Sequence, residues 1–169
     1  TGTGKTLAYL LPIFERLDQD KKELQALILA PTHELAMQIH RQAQQLAEKA
    51  QLDIVSLPSI GQVNITRQIE SLKSKPQLIV GSAGRVLELI GKRKITAHTV
   101  KMLVLDEADR LLDEQNAQAV EGVVRALPRD RQVVLLSASL PAAVAKKAAS
   151  FLHEPVQVAD EAKMTVPAG

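Results

Sequence analysis

The sequence Lys101-Met102-Leu103-Val104-Leu105-Asp106-Glu107-Ala108-Asp109 joins a short apolar run to an acidic end. The run is too short for a helix and rich in branched side chains, which is typical of a strand buried on both faces. Runs of the same kind occur elsewhere in the chain, at Ala26-Leu27-Ile28-Leu29, Asp53-Ile54-Val55, Leu78-Ile79-Val80 and Val133-Val134-Leu135-Leu136. Strands of this type favour a parallel sheet.

Longer segments with apolar residues at helical spacing alternate with these runs. They cover residues 7–18, 35–50, 65–72, 85–90, 117–127 and 142–151. The alternation predicts an α/β fold, a predominantly parallel sheet with helices on both faces. The pattern fades near the end, so we predict one domain over residues 1–158 and a tail or linker over residues 159–169.

Composition narrows the class of protein. The 169 residues are 46% hydrophobic and 24% charged, and the net charge is only +2, so any nucleic-acid contact must be local. The absence of Cys excludes a disulfide framework and fits a reducing compartment. No apolar run approaches the length of a membrane span. We therefore expect a soluble, cytoplasmic domain.

The chain opens with a glycine-rich segment, Thr1-Gly2-Thr3-Gly4-Lys5-Thr6, which matches the second half of the P-loop pattern G-x-x-x-x-G-K-[ST]. Glycines let backbone N–H groups turn toward phosphate oxygens, and the following helix points its positive end at them. On this interpretation the segment binds the phosphates of a nucleotide, with Lys5 on the β- and γ-phosphates and Thr6 on Mg²⁺. A flexible start followed by a capped helix is the alternative.

The carboxylates Asp106 and Glu107 follow their strand directly, as a magnesium–nucleotide site requires. The first can anchor the metal, and the second can orient or deprotonate the attacking water. A solvated acidic helix start is the alternative, since Asp and Glu favour the first turn. The P-loop pattern upstream favours the catalytic interpretation, because the two motifs need each other.

These motifs together resemble the DEAD-box ATP-dependent RNA helicases, and specifically their first RecA-like, ATP-binding lobe. The resemblance covers nearly the whole chain, with the motifs in the family's order. Besides Thr1–Thr6 and the tetrapeptide Asp106-Glu107-Ala108-Asp109, it is carried by Pro31-Thr32-His33-Glu34-Leu35-Ala36, by Gly61 with Gln68 and Leu72, by Ser82-Ala83-Gly84-Arg85 and by Ser137-Ala138-Ser139.

The chain departs from the family pattern at a few positions. Ile60 stands where the family has the first Gly of a pair, and His33 replaces an Arg, exchanging a permanent cation for a group mostly neutral at pH 7. Ala83 replaces a Pro and should leave that loop less rigid. Ser82 and Ser139 keep the hydroxyl that the family's Thr supplies.

The resemblance implies a role for each motif. ATP and Mg²⁺ would be bound by Gly2, Gly4, Lys5, Thr6, Asp106 and Glu107. The catalytic set among them would be Lys5, Asp106 and Glu107. The RNA backbone would be held by a second set, Pro31, Thr32, His33, Gly61, Ser82, Gly84 and Arg85. Ser137 and Ser139 would hydrogen-bond toward Asp109 and couple hydrolysis to the arrangement of the lobes. Backbone contacts read little sequence, so we expect low specificity for RNA sequence. A purely structural role for the RNA-binding set is the alternative.

The resemblance also implies parts that this sequence does not contain. The family's strand before the P-loop would precede Thr1, and a second RecA-like lobe, which carries an arginine finger, would follow the tail. We therefore expect a lobe with exposed sheet edges that is catalytically incompetent alone. Two other functions stay open at this point: a P-loop NTPase acting on DNA, and a non-catalytic RNA-binding module.

Overall fold

The computed structural model describes residues 3–158, which form one parallel sheet between two layers of helices. The strands are β1 (Ala26–Leu29), β2 (Ser56–Ser59), β3 (Leu78–Gly81), β4 (Met102–Leu105) and β5 (Gln132–Leu135). They lie in the order β2-β3-β1-β4-β5, and every neighbouring pair is parallel. The predicted α/β fold is confirmed.

The helices connect the strands and cover both faces. They are α1 (Thr3–Arg16), α2 (His33–Lys49), α3 (Ile65–Ser71), α4 (Ala83–Gly91), α5 (Ala108–Leu111), α6 (Ala117–Ala126) and α7 (Ala142–Ala149), with short 3-10 turns at Leu72–Ser74 and Ala97–Thr99. No helix in the described residues is both long and apolar enough to cross a membrane.

Alternation along each strand divides the core into two clusters. Leu27 and Leu29 face the cluster built with α4, α6 and α7, whereas Ala26 and Ile28 face the cluster built with α1 and α2. Both sets are 0% exposed. Successive side chains of a strand point to opposite faces, so a run without polar residues needs cover on both sides.

The second predicted strand is wrong in position. We expected it at residues 53–55, but the strand is Ser56–Ser59. The backbone N–H groups of Asp53 and Val55 donate to side-chain amides, those of Gln19 and Gln77, and not to a neighbouring strand. The strand that does form contains Pro58, which the ladder tolerates because β2 lies at the edge of the sheet.

In the part of the chain that the structure describes, no strand pairs with the outer edge of β5. β5 is the last strand in the sheet, and its residues are half-buried or exposed, whereas those of β1, β3 and β4 are fully buried. On the neighbouring helix α1, Leu7 and Leu11 are 40% and 49% exposed. Open backbone groups of this kind can pair with a further strand. The predicted tail over residues 159–169 lies outside the described residues, so the boundary at residue 158 stays a prediction.

Candidate functional site

All five strands end level with one another, which brings the motif loops to one edge of the sheet. Leu29 is in register with Gly81 and Leu105, Gly81 with Ser59, and Leu105 with Leu135. Ligands of open parallel sheets bind at this carboxyl edge. We call residues 106–109 the nucleotide-side turn, and residues 30–33, 60–63 and 82–85 the RNA-side loops.

The described part of the P-loop segment is the first turn of α1. Thr1 and Gly2 lie outside the described residues. Gly4 and Lys5 are exposed, and a Cβ built on Gly4 would meet no other atom within 4 Å. Thr6 is only 5% exposed, and its hydroxyl hydrogen-bonds to the phenol of Tyr9 one turn further along. The start of α1 thus leaves an accessible cation at Lys5 beside a buried hydroxyl.

Asp106 is held by both of its carboxylate oxygens. Oδ1 accepts a hydrogen bond from the Glu107 N–H at 2.8 Å, and Oδ2 accepts one from the Tyr9 hydroxyl, also at 2.8 Å. Burial, together with the negative charge of Asp106, raises the pKa of the Tyr9 phenol well above its usual range. The phenol therefore stays a hydrogen-bond donor, and Asp106 is linked through it to Thr6.

Glu107 has a backbone conformation that is rare for its residue type. Its φ is 50° and its ψ is 54°, in the left-handed region, at the N-cap of α5. Such a conformation costs a non-glycine residue about 1–3 kcal/mol and is concentrated at functional sites. The Glu107 carboxylate is 43% exposed and forms an ion pair with Arg110 at 3.2 Å.

Asp109 joins the nucleotide-side turn to the loop after β5. Its N–H donates to the Ser137 hydroxyl at 3.2 Å, and its Oδ2 accepts from the Ser139 hydroxyl at 3.0 Å. The Ser137 hydroxyl in turn donates to the Ser139 carbonyl. Hydrogen bonds thus join these two segments of the chain.

The residues at this end fit ATP and Mg²⁺ by their chemistry. Mg²⁺ is usually held by one or two carboxylates together with phosphates and waters, not by an all-protein cage. Among the described residues no group of His, Cys, Asp or Glu large enough for such a cage occurs. Asp106 and Thr6 instead supply the one carboxylate and one hydroxyl that a magnesium–nucleotide site needs.

The first RNA-side loop follows β1. Thr32 is the N-cap of α2, and its Oγ1 accepts from the Leu35 N–H at 3.2 Å. Pro31 is half-buried, and His33 is exposed at the first position of the helix. A helix N-terminus attracts anions, so the start of α2 is a favourable position for a negative charge.

Arg85 organises the other two RNA-side loops. Its side chain is 10% exposed, and its guanidinium donates to the carbonyls of Gly61 and Val63 and to Gln68 Oε1, at 2.9–3.0 Å. Its Nε also pairs with Glu88 at 3.1 Å. Most of its donors are therefore committed inside the protein. Sequence analysis predicted that Arg85 holds the RNA backbone, with a purely structural role as the alternative, but it did not predict this clasp.

Ser82 and Gly84 stand at the start of α4, where Ser82 is half-buried and Gly84 is exposed. Gly61 is also exposed, and Ile60 beside it is 3% exposed, with its carbonyl bonded to Gln68 Nε2 at 2.7 Å. The side chain at position 60, which departs from the family pattern, is thus taken up by the core.

Sequence analysis missed Tyr9 and Arg110. Tyr9 is the single Tyr of the chain and lies three residues after Thr6, so both face the same side of α1. This spacing was a usable signal. Arg110 follows the acidic tetrapeptide directly, but nothing in its position indicates that it turns back toward Glu107.

The sequence is similar to known proteins over most of its length. The family model for the DEAD/DEAH box helicase matches residues 1–148. The DEAD-box ATP-dependent RNA helicase CshC of Bacillus cereus is 44% identical over 155 residues, 92% of this chain and 39% of that protein. The probable ATP-dependent RNA helicase YfmL of Bacillus subtilis is 45% identical over 140 residues, 83% of this chain and 37% of that protein.

The solved structures show the same similarity. A DEAD box protein from the hyperthermophile Methanococcus jannaschii has a TM-score of 0.84 and 30% identity, over 91% of this chain and 41% of that one. The chain spans less than half the length of each of these relatives. Since the family model covers most of its residues, the chain belongs to the DEAD/DEAH box helicase family.

Proposed function

We propose that this chain is the ATP-binding first lobe of an ATP-dependent RNA helicase that remodels or unwinds RNA duplexes in the cytoplasm. The observation that carries the proposal is the nucleotide-side turn. It links Asp106 through Tyr9 to Thr6 at the start of α1, with Glu107 next in sequence, on the same edge of the sheet as the RNA-side loops.

On the nucleotide side, Lys5 would bind the outer phosphates of ATP. Thr6 and Asp106 would hold Mg²⁺, which when bound neutralises charge on the phosphates. Glu107 would orient or deprotonate the attacking water once its carboxylate leaves Arg110, 3.2 Å away. Asp106 is bonded to Tyr9 and Glu107 is paired with Arg110, so the two adjacent carboxylates already have different partners.

On the RNA side, the set predicted from sequence would hold one strand by its sugar-phosphate backbone. The N-terminus of α2 at Thr32 and that of α4 at Ser82 offer backbone N–H groups to phosphates. Arg85 would act mainly by shaping the loop of Gly61. Contacts of this type carry little sequence information, so specificity for RNA sequence would be low.

The bonds between Asp109 and Ser139 would couple ATP hydrolysis to the arrangement of the lobes. They connect the nucleotide-side turn to the segment after β5, so that hydrolysis could change the arrangement of two lobes. The chain alone would neither unwind RNA nor turn over ATP at a useful rate. An arginine finger, which the family carries on its second lobe, can supply ~10³–10⁵ in rate.

The proposal is tested by ATP turnover of the full-length protein with RNA, with DNA of the same sequence, and with neither. We expect RNA to stimulate turnover and DNA to do so far less. Equal stimulation by DNA would favour an NTPase that acts on DNA. No turnover under any condition would favour a non-catalytic RNA-binding module.

A further inference from the structure

Tyr9 connects the two residues to which the proposed function assigns Mg²⁺. Its hydroxyl donates to Asp106 Oδ2 at 2.8 Å, across 97 positions of sequence, and receives a hydrogen bond from Thr6 on its own helix. The three side chains form a continuous line, Thr6–Tyr9–Asp106, from the P-loop segment to the nucleotide-side turn.

Packing fixes the position of the Tyr9 hydroxyl. The side chain is 4% exposed and lies in the cluster that contains Ile13, Met102 and Val104. A phenylalanine would fill the same space, so the hydroxyl itself must account for any specific role. A buried phenol usually finds a hydrogen-bond partner, and here the core holds that phenol directly against the carboxylate.

The bond from Tyr9 completes the restraint on Asp106. The Glu107 N–H already holds Oδ1 at 2.8 Å, so the carboxylate is fixed at both oxygens. Each carboxylate oxygen has a further lone-pair position, which leaves Asp106 able to accept another hydrogen bond or to bind a cation. The carboxylate is thus oriented before any ligand binds, and it keeps lone pairs with which to bind that ligand.

We propose that Tyr9 is a positioning residue, which presets Asp106 and Thr6 relative to one another for Mg²⁺–ATP. The inference rests on the proposed function of the nucleotide side. Groups that orient a metal ligand from behind typically change metal affinity 10- to 100-fold when removed. The bond from Tyr9 is one of two restraints on the carboxylate, so we expect an effect at the lower end of that range.

The test is Tyr9→Phe in the full-length protein, with binding of a fluorescent ATP analogue measured as a function of Mg²⁺ concentration and in EDTA. The Mg²⁺ concentration at half-maximal binding should rise about tenfold. Affinity in EDTA should be unchanged, because Lys5 and the start of α1 are untouched. Phe14→Leu is the matched control: Phe14 is a buried aromatic residue of the same helix and cluster, and its loss should leave the Mg²⁺ midpoint unchanged.

A second measurement needs no nucleotide. In protein labelled with ¹³Cζ-tyrosine, the resonance that Tyr9→Phe deletes is assigned to Tyr9, and Asp106→Ala should shift it. An unmoved resonance, or a Tyr9→Phe variant with the wild-type Mg²⁺ midpoint, would overturn the inference. If the wild-type protein bound no nucleotide, the proposed function would fail, while the resonance would still decide whether Tyr9 is bonded to Asp106.

Discussion

The nucleotide-side turn and the RNA-side loops lie on one edge of the sheet but are built differently. In the turn, side chains hold side chains: Tyr9 bonds to Asp106, and Ser139 to Asp109. In the loops, the side chain of Arg85 holds backbone carbonyls, and Thr32 caps a helix. The turn therefore presents specific side-chain groups, whereas the loops present backbone groups held in a fixed shape. Substitutions should therefore affect chemistry on one side and shape on the other.

The largest effect is expected for Glu107→Gln in the full-length protein. The amide keeps the shape of the side chain but cannot deprotonate water, so turnover should fall by roughly 10²-fold or more. Binding of ATP and RNA should persist, because Asp106 and the RNA-side loops are intact. Steady-state ATPase and binding assays check this, with the exposed Glu114→Gln as a control for loss of one nearby carboxylate. Near-normal hydrolysis would remove Glu107 from its proposed role.

Gly81→Ala should be the most disruptive change for the shape of the RNA-side loops. A Cβ at Gly81 would lie 2.2 Å from the Ser59 carbonyl oxygen, the same atom that accepts the Ser82 N–H at 2.9 Å. Because both groups belong to paired strands, relief requires backbone movement, and we expect the free energy of unfolding to fall by about 3 kcal/mol.

Gly122→Ala is the matched control for that clash. Its Cβ would meet only the end of the Leu87 side chain, at 2.8 Å, which can rotate away. Alanine also gains about 1 kcal/mol in helix propensity over glycine, so the net change should be close to zero. Urea unfolding of both variants measures the difference. Equal losses would show that the strand junction at Gly81 is more adaptable than its geometry indicates.

Substitutions of Arg85 can distinguish a role of its positive charge in RNA binding from a role in shaping the RNA-side loops. Arg85→Ala should weaken RNA binding about 5- to 10-fold for all sequences. A hydrogen bond to a charged group is worth roughly 1.5–3 kcal/mol, and we expect only part of this free energy to be lost from RNA binding. Arg85→Lys should not restore binding, because an ammonium group cannot reproduce the fork that holds Gly61, Val63 and Gln68.

The exposed Arg67 provides the control, since Arg67→Ala removes a positive charge from the same region without breaking the clasp. Fluorescence anisotropy with labelled RNA checks all three variants. If Arg85→Lys bound RNA like the wild type, Arg85 would be acting as a charge, as sequence analysis first predicted.

Much of this arrangement could be predicted from the sequence, because buried parallel strands leave a clear apolar signal. β1, β3 and β4 were predicted from their branched side chains alone. β2 was misplaced because its actual residues, Ser56–Ser59, include Pro58 and look like a loop. An edge strand needs less apolar surface, so it leaves less signal.

The candidate site was predicted as a set of residues but not as a set of contacts. The left-handed backbone of Glu107 and the inward turn of Arg85 depend on tertiary packing, which no local pattern encodes. Tyr9 was passed over because an aromatic residue in an amphipathic helix looks like ordinary core. Only the position of Asp106 opposite its hydroxyl reveals the difference.

The smallest effect is expected for a substitution of His40, a buried residue of α2 that contacts β2. Its Nδ1 lies 3.0 Å from the Ser56 hydroxyl, and burial, with a contribution from Arg41, lowers its pKa from the usual 6.5. The unfolded chain therefore takes up the proton more readily. The stability contributed by neutral His40 is present above pH 6.5 and is lost as the pH falls through the lower folded value.

His40→Gln should accordingly flatten the decline in stability below neutral pH, as followed by urea unfolding at a series of pH values. The exposed His98→Gln should leave the decline unchanged. A decline that is the same in His40→Gln and in the wild type would contradict the assignment.

We propose that one lobe binds ATP on the nucleotide-side turn and RNA on the loops beside it, and that binding at the two sites is coupled. The most direct measurement is the RNA affinity of the full-length protein with and without a non-hydrolysable ATP analogue in the presence of Mg²⁺. Coupling between sites typically changes affinity by 5- to 150-fold, so we expect RNA to bind about tenfold more tightly with the analogue. Ser139→Ala, which breaks the bond to Asp109, should reduce that factor. An RNA affinity that is the same with and without the analogue would contradict the account.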